Sequence, residues 1–249
     1  MKSAMRWAAA AGIVLWAGAA QAQTADEAVE KVLGAMGGRA ALAKLTSRVA
    51  TGAISVSTQG VDIGGTIELT YKAPNKARSL MKLDLSAVGG AELVVDSRCD
   101  GKTAFVIDSR TGEREITGNQ LENMLNASFP SPFLNYKEAG AKVEIAGKEK
   151  LGEKDAIVLV HTPKTGSVSR LYFDPQTWQL IRSVAKVNVP EAGGDIERTT
   201  DPSDYRDVDG VKLPFTVVVN DPRQSVTIRL QKVEHNKPLD DALFSRAVK

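Results

Sequence analysis

The chain has 249 residues, of which 43% are hydrophobic and 25% charged, and its formal net charge is +2. This nearly neutral balance gives little electrostatic drive toward nucleic acid, so we expect no nucleic-acid partner. The only cysteine, Cys99, excludes an internal disulfide and is expected to be a small buried apolar side chain.

The N-terminus has the organisation of a secretory signal peptide. Lys2 and Arg6 precede the apolar run AAAAGIVLWAGAA over 8–20, and AQA at 20–22 has the small residues of a cleavage site. Cleavage after Ala22 removes two of the 32 basic side chains and no acid, so residues 23–249 carry 30 of each sign. No later stretch approaches the roughly 18 uncharged residues that a membrane span needs. The sequence therefore predicts a 1–22 signal peptide and a soluble periplasmic domain.

A helix is the first predicted element of that domain. Thr24 and Glu27 have the spacing of a capping box. Gly37-Gly38 should end the helix, and the segment RAALAKL (39–45) predicts one further short helical turn. The apolar residues that recur at helical spacing are Val29, Val32, Leu33 and Met36.

From Ser47 onward the apolar residues alternate with a period of two, which is typical of strands with one buried face. Ile67, Leu69 and Tyr71 share one face, and Met81, Leu83 and Leu85 alternate with polar residues after the Pro74-Asn75 turn. Short spacers favour antiparallel neighbours in one long meander, hence a mainly β (α+β) single domain. Further strands are predicted over 91–98, 103–108, 142–150, 155–162, 168–174, 178–189, 195–206, 212–220 and 225–235.

Residues 118–128 interrupt the strands with helical spacing and lead into the segment NMLNASFPSPFLNYKE. Its two prolines forbid a regular strand or helix, although it contains Phe129, Phe133 and Leu134. We expect a helix followed by an ordered loop. The pattern leaves open whether these side chains plug a solid core or cover a cavity.

Residues for catalytic chemistry are sparse. Only His161 and His235 are available as general bases, and no zinc or phosphate-loop motif is present. Most aspartates lie in turns, where their oxygens satisfy backbone amides, so a hydrolase using converging carboxylates is only the third alternative. We predict no enzyme, no cofactor and no metal site. The aspartates considered are Asp96, Asp100, Asp108, Asp204, Asp207 and Asp209.

Four segments, in this order, resemble the LolA/LolB-like lipoprotein-carrier superfamily. They are YKAPNKAR (71–78), DSRCDGKTAFVID (96–108), YFDPQTWQLIRS (172–183) and PLDDALFS (238–245). The resemblance covers residues 24–247. It implies a strongly curved antiparallel sheet forming a half-barrel, with an N-terminal helix and a helix/loop lid over a concave apolar face that holds acyl chains.

The resemblance also implies the ligand-binding residues. Leu69, Tyr71, Met81, Leu83 and Leu85 would line an apolar cavity, and Phe129, Phe133 and Leu134 would cover its mouth. The implied function is a non-covalent carrier or binding protein for lipid or an acylated lipoprotein ligand. The alternative is an envelope interaction or stress-sensor module that binds a membrane-protein partner, from the inner or outer membrane, on the same sheet.

The chain departs from the lipoprotein carrier at the Pro-Asn turn. In the carrier an arginine precedes the proline and helps to hold the lid, whereas Ala73 stands here. The aromatic residues that follow the turn are replaced by Ala77 and Ser79. This departure argues against a lid switch tied to lipoprotein hand-over and leaves the narrower expectation of a lipid-binding relative.

Overall fold

The computed structural model describes residues 24–189 and 193–246, so the signal-peptide prediction lies outside the described residues. Within them lie three α-helices, α1 (Ala25–Ala35), α2 (Arg39–Leu42) and α3 (Gly118–Asn126). No helix in these two ranges is long and apolar enough to cross a membrane. The strands are β1 (Ser47–Thr58), β2 (Val61–Lys72), β3 (Lys76–Leu83), β4 (Leu93–Cys99), β5 (Ala104–Asp108), β6 (Gly112–Ile116), β7 (Lys142–Leu151), β8 (Lys154–Thr162), β9 (Ser169–Phe173), β10 (Leu180–Val189), β11 (Gly194–Val208), β12 (Val211–Asp221) and β13 (Gln224–His235).

Helix α1 begins at the predicted capping box. The Thr24 hydroxyl accepts a hydrogen bond from the Glu27 amide at 3.2 Å, and the Glu27 carboxylate accepts one from the Thr24 amide at 3.1 Å. These two bonds satisfy donors that the first helical turn leaves without an internal partner. The buried face of α1, formed by Ala28, Val29, Val32 and Leu33, packs into the main core.

Gly37 ends this helical segment at a close approach to the strand β12. Its φ is +116°, and a Cβ added there would lie 2.2 Å from the Gly210 carbonyl oxygen. The adjacent Met36 carbonyl accepts a hydrogen bond from the Lys212 amide at 3.0 Å. Glycine is therefore required both by the backbone conformation and by the contact.

Two alanine substitutions in this segment should have opposite effects. We expect Gly37→Ala to lower the free energy of unfolding by about 1 to 3 kcal/mol, because the backbone is strained and the neighbouring chain must move. Gly34→Ala should raise it by about 0.5 to 1 kcal/mol, because this helical, exposed position has nothing within 4 Å of an added Cβ. Urea denaturation measures the free energy of unfolding of both variants. If the two substitutions change it by the same amount, the close approach of Gly37 to Gly210 is contradicted.

The sheet consists of two antiparallel meanders rather than the single meander expected from the sequence. Strands β1 to β6 form one meander and β7 to β13 the other, and they join because β1 pairs with β13 as well as with β2. The sheet is strongly curved and open, which confirms the predicted half-barrel. All the predicted strands are present with small shifts at their ends, and the short strand β6 was not predicted.

This topology explains where the predicted helix and loop lie. The free edges of the sheet are β6 and β7, which are consecutive along the chain. The segment 117–141, which contains α3 and the proline-rich loop, must therefore cross from one edge of the half-barrel to the other. Gln120 donates to the Asn188 carbonyl at 3.1 Å, so α3 reaches β10 on the far side. We call α3 and the loop 127–141 the lid.

The apolar residues form separate clusters along the sheet. The main core joins α1, α2 and the lid to inward-facing residues of β7, β8, β9 and β12. A second cluster surrounds Ile54 and Ile67 on β1 to β4. A third packs α3 against β4 to β6 and contains Cys99, whose side chain is fully buried as predicted. Burial also raises the pKa of the Cys99 thiol.

Candidate functional site

A cavity of about 550 Å³ lies between the concave face of the sheet and a cover formed by the α1 segment and the lid. Its lining is mostly apolar. The cover contributes Val32, Ala35, Met36, Ala127, Pro130 and Phe133. The floor, formed by β9, β10 and β12, contributes Leu171, Phe173, Leu180, Ala185, Val187 and Leu213. Ligand sites for small apolar molecules have this size and this kind of wall.

The proline-rich loop is held against the sheet by its aromatic side chains and by its backbone. The Phe129 amide donates to the Pro74 carbonyl at 2.8 Å, and the Phe129 ring stacks on Tyr71 with 6.0 Å between centroids. The Phe133 ring meets His161 edge-on at 5.7 Å. The apolar side chains of this loop thus contact the concave face.

Two polar bonds fix the far end of the loop to α1 and α2. Arg39 donates to the Leu134 carbonyl at 2.6 Å, and the Tyr136 hydroxyl bonds to the Asp26 carboxylate. Lys137 also pairs with Asp26, which lowers the pKa of that carboxyl through the hydrogen bonds from Lys137 and Tyr136. Arg39, Asp26 and Lys137 are exposed and only the Tyr136 ring is buried, so the polar contacts that hold this end of the lid are modest.

A few polar side chains face the cavity. Burial lowers the pKa of His161, so its ring is neutral at pH 7 and presents no charge to a ligand. Burial also raises the pKa of Tyr205, whose hydroxyl donates to the Leu180 carbonyl at 2.9 Å. Arg198 donates to Asp221 at 3.2 Å, and its buried Nε has no hydrogen-bond partner in the described part of the chain.

Arg48 is the second arginine in the cavity wall, which also includes Lys212. It projects from β1 beside the lid, with its guanidinium carbon 4.7 Å from the ring centre of Tyr71 and 5.4 Å from that of Phe129. Burial lowers the pKa of this guanidinium, and the neighbouring Tyr71 opposes the effect. Arginine nevertheless stays protonated in proteins, so the cavity wall contains a half-buried positive charge.

No protein-family model matches the sequence, and no curated protein matches it either. Solved structures do match along nearly the whole chain. A DUF1329 family protein from Desulfovibrio piger is 15% identical, with a TM-score of 0.58 and coverage of 90% of this chain and 98% of its own. A LolA superfamily protein from Nitrosomonas europaea is 12% identical, with a TM-score of 0.58 and coverage of 90% and 99%. This chain has the LolA-like fold.

A third structure agrees with this assignment. An outer-membrane lipoprotein-sorting protein domain from Vibrio parahaemolyticus is 12% identical, with a TM-score of 0.57 and coverage of 88% of this chain and 97% of its own. The resemblance inferred from four short segments is thereby confirmed at the level of the fold. In the LolA-like fold of this chain, the cavity lies on the concave side under the lid.

The structure brings together only some of the residues predicted to bind ligand. Phe133 lines the cavity, while Phe129 and Tyr71 stack beside it in or against the main core. Leu134 packs half-buried at the edge of that core. The other predicted residues, Leu69, Met81, Leu83 and Leu85, lie in the second cluster with Ile67 and are not among the cavity-lining residues. Their contact with a ligand stays a prediction.

Sequence reasoning missed the floor of the cavity and Arg48. The floor strands show ordinary alternation, and the sequence gives no indication that the lid covers these strands. Arg48 had a usable signal, because it shares strand parity with Ala50, Gly52 and Ile54 and therefore lies on the apolar face. A charged residue at such a position is a candidate functional group.

The aspartates considered as catalytic candidates do not form a common site in the structure. Asp100 and Asp108 accept backbone amide hydrogen bonds in turns, as the sequence indicated. Asp96 differs, because it is buried within β4 and paired with Arg78 and Arg98. Across residues 24–189 and 193–246 no group of three or more His, Cys, Asp or Glu side chains is arranged to hold a metal ion.

Proposed function

We propose that the protein is a periplasmic, non-catalytic carrier or binding protein for a lipid or an acylated protein. The observation that carries the proposal is the apolar cavity of about 550 Å³ under the lid. Transfer of an alkyl chain from water into such a space is favourable by about 0.8 kcal/mol per methylene. The signal-like N-terminus and the balanced charge of residues 23–249 suit traffic through the periplasm.

We include the second cluster as an extension of the binding surface. Leu69 and Met81 are half-buried, and they belong to the same cluster as the more fully buried Leu83 and Leu85. This cluster continues the apolar surface of the sheet onto β2 and β3 beyond the cavity. A chain longer than the cavity would find apolar contacts there without a change of fold.

The proposal is tested by the contents and uptake of the cavity. We expect native mass spectrometry of protein from the periplasm to show a bound lipid mass, and we expect the delipidated protein to take up a fluorescent fatty-acyl probe at one probe per chain. Tight uptake is expected because most of the cavity wall is apolar. Detection of the bare chain alone, together with no probe uptake, would contradict the proposal.

A second candidate function is the binding of a membrane-protein partner on the same sheet. It is favoured by the half-exposed apolar residues of the second cluster, among them Ile63, Val95 and Val226. Exposed apolar surface of this kind can mark a protein contact. Photo-crosslinking from position 63 in intact cells should then give one discrete protein adduct, and the absence of any adduct would argue against it.

A further inference from the structure

Arg48 is a half-buried cation that has no anionic partner in the part of the chain that the structure describes. It belongs to none of the ion pairs among residues 24–189 and 193–246, and its neighbours there are Tyr71, with which it shares a side-chain hydrogen bond, and the ring of Phe129. By contrast, Arg78, Arg98 and Arg182 each meet a carboxylate at 2.6 to 2.9 Å. Arg48 therefore differs from the arginines that serve the sheet structurally.

The surroundings of Arg48 only partly offset the cost of burying its charge. The faces of Tyr71 and Phe129 attract a cation, and Tyr71 adds a side-chain hydrogen bond, but neither residue is a carboxylate. A buried charge normally requires a counter-charge within hydrogen-bond distance. Arg48 lies in the cavity wall, so a bound molecule can supply that counter-charge.

We propose that Arg48 is the receptor for the anionic group of the ligand, and that the cavity selects amphiphiles carrying a carboxylate or a phosphate beside an alkyl chain. The inference rests on the proposed function and adds the chemistry of the head group to it. A guanidinium is suited to this task because its planar fork pairs two N–H groups with two oxygens of either anion. The apolar floor receives the chain while the two rings hold the guanidinium.

A competing role for Arg48 is purely structural, since its contacts with Phe129 would also hold the lid. The two roles differ in what a substitution does to an uncharged ligand. A lid-holding arginine affects every ligand alike, whereas an anion receptor affects only charged ones. The comparison therefore needs ligands that differ only in the head group.

The experiment measures the affinities of dodecanoate, dodecyl phosphate and dodecanol at pH 8 by displacement of a fluorescent fatty-acyl probe. We expect the wild-type protein to prefer at least one anion over the alcohol by about tenfold or more. Arg48→Gln should abolish this preference and leave the affinity for dodecanol unchanged. Arg48→Lys should keep part of the preference. Arg170→Gln, on the outer face and paired with Glu149, is the matched control.

The outcomes separate the two proposals. A preference for dodecanoate indicates a fatty acid and a preference for the phosphate indicates a phospholipid, and both support the anion receptor. Equal binding of acid, phosphate and alcohol by the wild type overturns this inference alone, as does equal weakening of all three by Arg48→Gln. Loss of the preference in Arg198→Gln but not in Arg48→Gln would move the receptor to Arg198. Binding of none of the three contradicts the carrier function as well.

Discussion

Replacing Asp96 by Ala is expected to lower the free energy of unfolding by about 3 to 5 kcal/mol, because it leaves two arginines without their counter-charge. Asp96 accepts two hydrogen bonds from Arg78 at 2.9 Å and two from Arg98 at 2.8 and 3.1 Å. The side chains of the two arginines are only 17% and 16% exposed. Arg98 also donates to the Ser245 carbonyl, so the cluster attaches the C-terminal segment to the sheet.

Urea denaturation measures this effect, and Asp155→Ala provides the control. Asp155 pairs with Lys150 at 3.9 Å on the surface, where both side chains are about 70% exposed. Removal of such a pair should change the free energy of unfolding by less than about 1 kcal/mol. A loss for Asp96→Ala as small as that of the control would show that the cluster does not stabilise the sheet.

The same carboxylate gives the stability a defined dependence on pH. Burial acts to raise the pKa of Asp96, but the hydrogen bonds from Arg78 and Arg98 outweigh it and hold the pKa below its usual value. The stabilisation is therefore fully present above about pH 4, the ordinary pKa of an aspartate, and is lost as the pH falls through the lowered value. Below pH 4 the free energy of unfolding of the wild type should fall more than that of Asp96→Asn. If the two proteins lose stability in parallel as the pH falls, Asp96 is not the source of this pH dependence.

The elements predicted best are those that depend on interactions between residues close together in the sequence. The capping box at Thr24 begins α1, and the Pro74-Asn75 turn joins β2 to β3 in a hairpin, with Ile67 opposite Met81. Period-two alternation identifies nearly all strands, because one face of each strand is buried against a neighbour. Strand β6 was missed because GEREI has four exposed residues before its single buried isoleucine.

The location of the cavity could not be predicted in the same way, because it depends on contacts between distant parts of the chain. The pairing of β1 with β13 joins the two meanders and places β6 and β7 at opposite edges. Because the lid connects β6 to β7, it crosses the concave face only when these two strands lie at opposite edges of the sheet. The resemblance implied a cavity lined by Leu69 and Met81 in the first hairpin, and their contact with a ligand stays a prediction. The cavity itself lies over β9 and β10.

The same long-range pairing gives Arg48 its environment. Its cross-strand neighbours are Tyr71 on β2 and His235 on β13, which come from the two different meanders. The position before the Pro-Asn turn, occupied by arginine in the lipoprotein carrier, holds Ala73, which packs half-buried against the main core.

Filling the cavity should abolish binding without unfolding the protein. We expect Ala185→Trp to weaken the affinity for the fatty-acyl probe by about fiftyfold or more. Ala185 lies on the floor of the cavity and is only half-buried, so the larger side chain occupies space that the ligand needs. An indole that excludes three methylenes of the ligand removes about 2.4 kcal/mol of binding free energy, at about 0.8 kcal/mol each. The measurement is a probe titration combined with thermal unfolding.

Ala53→Trp is the matched control, because it adds the same side chain to an exposed position on the outer face of β1. This variant should bind the probe with the affinity of the wild type. If both tryptophan variants bind equally well, the acyl chain lies outside the cavity, and the second cluster around Leu69 and Met81 becomes its binding surface. Weak binding by Ala185→Trp with a wild-type melting temperature places the ligand under the lid, because a folded protein has then lost only the space that the alkyl chain requires.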